Sequence, residues 1–135
     1  MNEPPAELRL SRLIDQARVD AYADAARDHN PIHIDEEFAA ATPFGHRIAH
    51  GMLVLALVSE LMTEAFGTRW AEGGSLKVRW RAPVVPPAQV SARCTLRGVA
   101  DGVATYEVAC DSEDGTALLA GTATVTLDEA HDHRD

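Results

Sequence analysis

The segment Asp28-His29-Asn30-Pro31-Ile32-His33 sets a carboxylate and an imidazole on either side of an Asn–Pro step. A carboxylate and an imidazole that share one point can pass a proton to and from a reacting group. Pro31 fixes its own backbone angle, and Asn30 can bond its own neighbouring backbone. Residues five positions apart can therefore fold back toward each other at low entropic cost. A plainer reading is that Asp28 caps or ion-pairs locally and that His33 is structural. Spacing alone leaves both open.

A second segment, Pro43-Phe44-Gly45-His46-Arg47-Ile48-Ala49-His50-Gly51, leads into a long apolar run. The first N–H groups of a helix lack internal acceptors and sit at the positive end of its dipole. A glycine there lets a carbonyl oxygen come close, since no β-carbon intervenes. The Gly51 N–H is thus a candidate oxyanion donor. The alternative is a glycine needed only for close helix–sheet packing. His46 and His50 read as loop and cap residues, and His29 as a solvent-facing turn residue. Ser59 is polar within an apolar helix. It could orient Asp28 or His33, or bond back to its own helix.

Other chemistries find no support. No strand–Gly-x-Ser-x-Gly–helix elbow exists for a serine nucleophile. The His and Cys spacing gives no structural zinc pattern, and Gly73-Gly74 precedes a strand, the wrong context for a phosphate loop. Cys94 and Cys110 fall inside strand-like runs and read as reduced core thiols. The pair His131/His133 lies in a polar tail, 131–135, and reads as solvated.

The elements that must position these residues follow from periodicity. Leu8 to Ile14 predicts a short strand. Asp15 can cap a helix over about 16–28 with Val19, Tyr22, Ala23 and Ala26 on one face, ended by the Asn30-Pro31 step. Asp35 opens a short helix through Ala41. Residues 49–66 predict the main helix, apolar nearly all round and so expected to be buried on nearly all sides. Gly67 stops it. From Leu76 the period becomes two, through four strands whose last three are joined by the turn signals Asp101-Gly102 and Asp114-Gly115. One buried helix followed by an antiparallel meander implies an α+β domain, a curved sheet wrapped around a helix, over residues 1–130.

Composition bounds the partners. The chain has 135 residues, a net charge of −9 and 46% hydrophobic residues, enough for one domain with a real core. The acidic balance argues against nucleic acid or an anionic membrane, although local arginines can still hold an anion. The polar start and the shortness of the run Met52–Val58 imply neither a signal peptide nor a membrane span, hence a cytoplasmic protein.

Tyr22 through Met52, read as Y-(x5)-D-x-N-P-I-H-x-D-E-E-F-A-(x3)-P-F-G-x-R-I-A-H-G-M, resembles the hydratase-2 motif of MaoC-like (R)-specific enoyl-thioester hydratases and dehydratases. The family's hot-dog fold matches the helix-then-meander order. The resemblance implies Asp28 and His33 as the catalytic acid/base pair and Gly51 as the backbone donor to the thioester oxygen. It implies Asn30 as a brace of the loop and Ser59 as a support of the pair, with His50 beside them. It further implies fatty-acid-type acyl substrates carried by coenzyme A or acyl carrier protein, no metal or redox cofactor, and a homodimer or higher hot-dog oligomer. Arg27 stands where many relatives have glycine, and Pro86-Pro87-Ala88-Gln89 replaces a common Gly-Asp turn.

Two rival activities share this fold: an acyl-thioesterase, and a non-catalytic acyl-binding subunit of a hetero-oligomeric dehydratase. The Asn-Pro-x-His turn and the Ala-His-Gly-Met step favour the hydratase.

Overall fold

The computed structural model of the protein describes residues 3–127. The tail 131–135, with His131 and His133, lies outside the described residues. Strand β1 (Glu7–Ile14) leads to helix α1 (Gln16–Ala26). Asp15 caps α1, its carboxylate accepting from the Arg18 N–H at 2.9 Å. The helix ends at Ala26, before the expected boundary and not at the Asn–Pro step. Arg27 adopts a left-handed conformation (φ 58°, ψ 41°), and its N–H returns to the Ala23 carbonyl. That turn separates Asp28 from the helix and leaves Ala26 exposed rather than on a buried face.

Two short helices follow, α2 (Pro31–Ile34) and α3 (Glu36–Ala40). Pro31 opens the first, which the sequence did not predict, and Asp35 caps the second by accepting from Phe38 N–H. Helix α4 (Gly51–Phe66) begins two residues later than expected. The Ala49 N–H is committed to the Val84 carbonyl at 2.8 Å, which holds residue 49 outside the helix.

Burial of α4 is one-sided, unlike the expectation from its composition. Leu53, Val54, Leu57, Val58, Leu61, Met62 and Phe66 are buried, whereas Met52 is 54% exposed and Ala56 is open to solvent. A short helix α5 (Thr68–Gly73) then intervenes before the sheet.

The sheet is antiparallel, in the order β1-β3-β4-β5-β2, with β2 (Gly74–Trp80), β3 (Ala88–Ala100), β4 (Val103–Ser112) and β5 (Ala117–Thr126). Alternation decides its inner face. Val90, Ala92, Cys94, Ala104, Tyr106, Val108, Cys110, Leu119, Ala123 and Val125 are buried in one core with α4. Asp101 and Gly102 both have positive φ (53° and 75°), as the expected hairpin turn requires. Gly121 is obligatory for a different reason: a β-carbon there would lie 2.1 Å from the Lys77 carbonyl oxygen, so β2 can approach β5 only because none exists. Cys94 and Cys110 are free and buried, as expected. Burial pushes the Cys94 thiol up to about 11 and the Cys110 thiol up to about 12. Among the described residues no helix is long and apolar enough to cross a membrane.

Candidate active site

The site forms where the turn after α1 meets the head of α4. Release of the chain at Arg27 places Asp28 in a tight turn. The Asn30 N–H donates to Asp28 Oδ1 at 3.3 Å, and Asn30 Oδ1 accepts from the Ile32 N–H at 3.1 Å. Asn30 therefore braces the turn from both sides, with Pro31 locking the next step. The first turn of α2 then carries His33 back toward Asp28.

His33 is held from two directions. Its Nδ1 lies 2.7 Å from the Ile48 carbonyl. A carbonyl only accepts, so Nδ1 carries the proton and Nε2 is left to exchange one. Its own carbonyl accepts from Gln16 Nε2 at 2.8 Å, which ties α2 to the start of α1.

His50 lies against this pair, 3% exposed. Its Nε2 donates to the Asp28 carbonyl at 3.0 Å, and its ring stacks on His33 with centroids 3.7 Å apart. The Tyr22 ring packs at 4.8 Å on the His50 ring. With Nε2 protonated, His50 Nδ1 is a buried acceptor with no hydrogen-bond partner among the described residues.

One donor-or-acceptor atom from each of Asp28, His33 and His50 lies within 4.8 Å of the others. That spacing is compatible with a metal, but the ring geometry is not. An ion bound by imidazole lies in the ring plane, and two rings stacked at a 24° interplanar angle do not aim their nitrogens at one such point. The cluster suits a small polar molecule, held by hydrogen bonds, better than an ion.

Gly51 follows His50 directly and is the first residue of α4, so its N–H has no intrahelical acceptor. Trp80 covers it: the indole Nε1 donates to the Gly51 carbonyl at 3.0 Å, and a β-carbon on Gly51 would meet that nitrogen at 2.8 Å. An apolar cleft of about 320 Å³ opens beside Gly51, lined in part by Phe44, Ile48, Val54, Trp80 and Leu118.

The structure thus brings together Asp28, His33, His50 and Gly51, with Asn30 as the local brace. It does not bring Ser59 to them. Ser59 lies eight residues further along α4, about 12 Å of helical rise from Gly51, and its hydroxyl accepts from the Trp70 indole at 3.0 Å. Within this chain it joins α4 to α5. His46 is exposed in the loop, and His29 pairs with Asp24 outside the cluster. Gln16 and Trp80 were not singled out from the sequence. Each acts through a long-range contact that no local pattern signals.

A curved five-stranded sheet around one long helix, with an acid/base cluster at the head of that helix, defines a hot-dog domain. The chain belongs to the MaoC-like domain family, whose model matches residues 2–116. It is 45% identical over 92 residues to the 3-hydroxyacyl-thioester dehydratase Z of Mycobacterium tuberculosis, a match covering 65% of this chain and 61% of that protein. The chain thus spans less than two thirds of that relative's length. It is 30% identical over 121 residues to the (R)-specific enoyl-CoA hydratase of Aeromonas caviae, covering 88% of this chain and 90% of that one. A solved (R)-hydratase from A. caviae superposes with a TM-score of 0.81 at 28% identity, over 94% of this chain and 98% of that one.

Proposed function

We propose that this protein is an (R)-specific 2-enoyl-thioester hydratase, working reversibly as a 3-hydroxyacyl-thioester dehydratase. The observation that carries the reading is the meeting of Asp28, His33 and His50, one carboxylate or ring-nitrogen atom of each within 4.8 Å of the others, next to the helix-start amide of Gly51. Such a cluster can hold one water molecule between an acid and a base, beside a donor for a developing oxyanion.

In the hydration direction the thioester carbonyl lies against the Gly51 N–H. One member of the Asp28/His33 pair takes a proton from the water they hold as its oxygen adds to the β-carbon. The electron pair of the double bond moves to the carbonyl oxygen, and Gly51 N–H stabilises that charge. Collapse of the enolate takes a proton at the α-carbon from the same pair, so both additions fall on one face. Asp28 and His33 are the catalytic residues; Asn30 positions them. Water and the enoyl group balance without a metal or redox cofactor. The acyl carrier is coenzyme A or acyl carrier protein.

A second copy of the chain completes the cleft. Phe44 and Trp80, which line it, are 49% and 46% exposed, more apolar surface than a working acyl site leaves wet.

The test is hydration of trans-2-enoyl-CoA esters of increasing length, followed at the loss of the conjugated double bond, with chiral analysis of the product. The expected result is an (R)-3-hydroxyacyl-CoA and no free thiol. Thiol release without hydration would replace this reading with a thioesterase, and inactivity of the isolated chain on every ester would replace it with an acyl-binding subunit.

A further inference from the structure

The hydration chemistry places its oxyanion donor on a residue with little of its own to hold it still. Glycine has the widest backbone freedom of any residue type, and Gly51 opens α4 at a helix end, where helices fray. Helices α1, α2 and α3 are each capped by the side chain of the residue before them. His50 stands at the same position before α4 but makes no side-chain cap bond, because its Nε2 goes to the Asp28 carbonyl. An oxyanion donor works through pre-set geometry; one that must be reoriented during the reaction stabilises less. A restraint from elsewhere in the fold is therefore needed at residue 51.

Trp80 meets that need. Its indole Nε1 donates to the Gly51 carbonyl at 3.0 Å, across 29 positions of chain. A carbonyl has two lone pairs, so this bond need not compete with the helix's own. A β-carbon on residue 51 would lie 2.8 Å from Nε1, 3.1 Å from Cε2 and 3.3 Å from Cδ1, so the five-membered ring lies directly against the Gly51 α-carbon. Strand geometry brings it there. Leu76, Val78 and Trp80 share one face of β2, and the first two pack on the core. Trp80 ends the strand, so it reaches past the core to the first turn of α4. Its backbone is fixed by pairing with Leu119 and by the Arg81 N–H, which donates to the Leu118 carbonyl at 2.8 Å. The chain around the Gly51 amide is thus anchored before it, by the Ala49 N–H on the Val84 carbonyl, and after it by the indole.

Resting on the hydratase reading, we propose that Trp80 is a positioning residue of the hydration reaction. Its indole N–H sets the rotation of Gly51, and through it the aim of the Gly51 N–H at the thioester oxygen. This role differs from lining the cleft, which any large apolar ring could do. Phenylalanine at position 80 keeps a ring wall and loses the donor. Histidine has its Nε2 as many bonds from the β-carbon as the indole has its Nε1, so it restores a donor at that place with less apolar surface. The two replacements therefore rank in opposite orders: packing favours phenylalanine, positioning favours histidine.

The experiment compares the full chain with Trp80→Phe and Trp80→His. It reads kcat and KM for crotonyl-CoA hydration and the NMR order parameter of the Gly51 amide. Trp80 is half-exposed at the end of an edge strand, so both variants keep the fold, which circular dichroism melts verify. One neutral hydrogen bond is worth roughly threefold to tenfold. Trp80→Phe should lose about that much in kcat with KM little changed, since the donor acts on charge that develops in the transition state. Trp80→His should recover most of the loss. The order parameter should stand at the rigid-backbone value of about 0.85 in the wild type and Trp80→His, and fall in Trp80→Phe. Wild-type kcat in Trp80→Phe, a Trp80→His variant no faster than Trp80→Phe, or one order parameter for all three proteins would overturn the proposal. Wild-type protein that hydrates no ester would refute the hydratase reading, and a Gly51 amide that loosens in Trp80→Phe alone would still uphold the restraint by the indole.

Discussion

The segment from Arg27 to Gly51 and the sheet core from β3 to β5 are built on opposite principles. In the first, polar contacts to backbone groups set the geometry: Asn30 to Ile32, His33 to Ile48, His50 to the Asp28 carbonyl. Asp28 and Asn30 remain exposed. In the second, Val90, Cys94, Tyr106, Val108 and Leu119 are wholly buried and hold the fold by packing. The lesson is separability. Chemistry sits on a braced loop that contributes little core, and stability sits in a sheet that carries none of the proposed chemistry.

The strongest way to sharpen that contrast is His33→Asn, which retains a donor for the Ile48 carbonyl but loses the imidazole. Enoyl-CoA hydration should fall about 10²–10⁴-fold, with thermal unfolding nearly unchanged; a large drop in melting temperature would break the separation. Leu119→Ala is the mirror experiment. It removes a fully buried side chain and should cost about 2–5 kcal/mol in denaturant unfolding, with kcat of the remaining folded protein close to wild type.

A third test uses pH. The Cys94 and Cys110 thiols are raised from 9.0 to about 11 and about 12. The unfolded chain ionises them first, so the stability that neutral burial supplies is complete below pH 9 and is lost as pH rises toward 11–12. That loss amounts to about 2–4 kcal/mol per thiol at its full extent. Melting curves from pH 8 to 11 should show the decline, and Cys94→Ala/Cys110→Ala should flatten it up to about pH 10, above which the buried Tyr106 hydroxyl, raised from 10.0 to about 12, still lowers stability. The smallest effect belongs to Arg27. A non-glycine residue at φ 58° is strained, so Arg27→Gly should raise stability by up to about 1 kcal/mol, measured by the urea midpoint. A fall would show that the arginine side chain matters to the turn.

The same division governs what the sequence made legible. The sheet could be read from alternation and the Asp101-Gly102 turn, because those signals are local. The Asp28–His33 turn could be read because Asn30 and Pro31 act on their immediate neighbours. Helix α5 escaped notice, since six residues ending in glycine carry too little periodicity. The stop of α1 at Arg27 was invisible because the residue type does not announce a left-handed turn. Ser59 was expected beside the pair, and Trp70 claims it instead. Gln16 and Trp80 bond across 17 and 29 positions of chain, contacts that only the folded topology supplies.

The most direct measurement is kcat/KM for crotonyl-CoA hydration by Asp28→Asn beside the wild type. Asparagine keeps an oxygen to accept the Asn30 N–H, so the turn survives while the carboxylate is gone. A loss of at least about 100-fold with an unchanged circular dichroism melt is the expected result; a folded variant that hydrates at the wild-type rate would contradict the account.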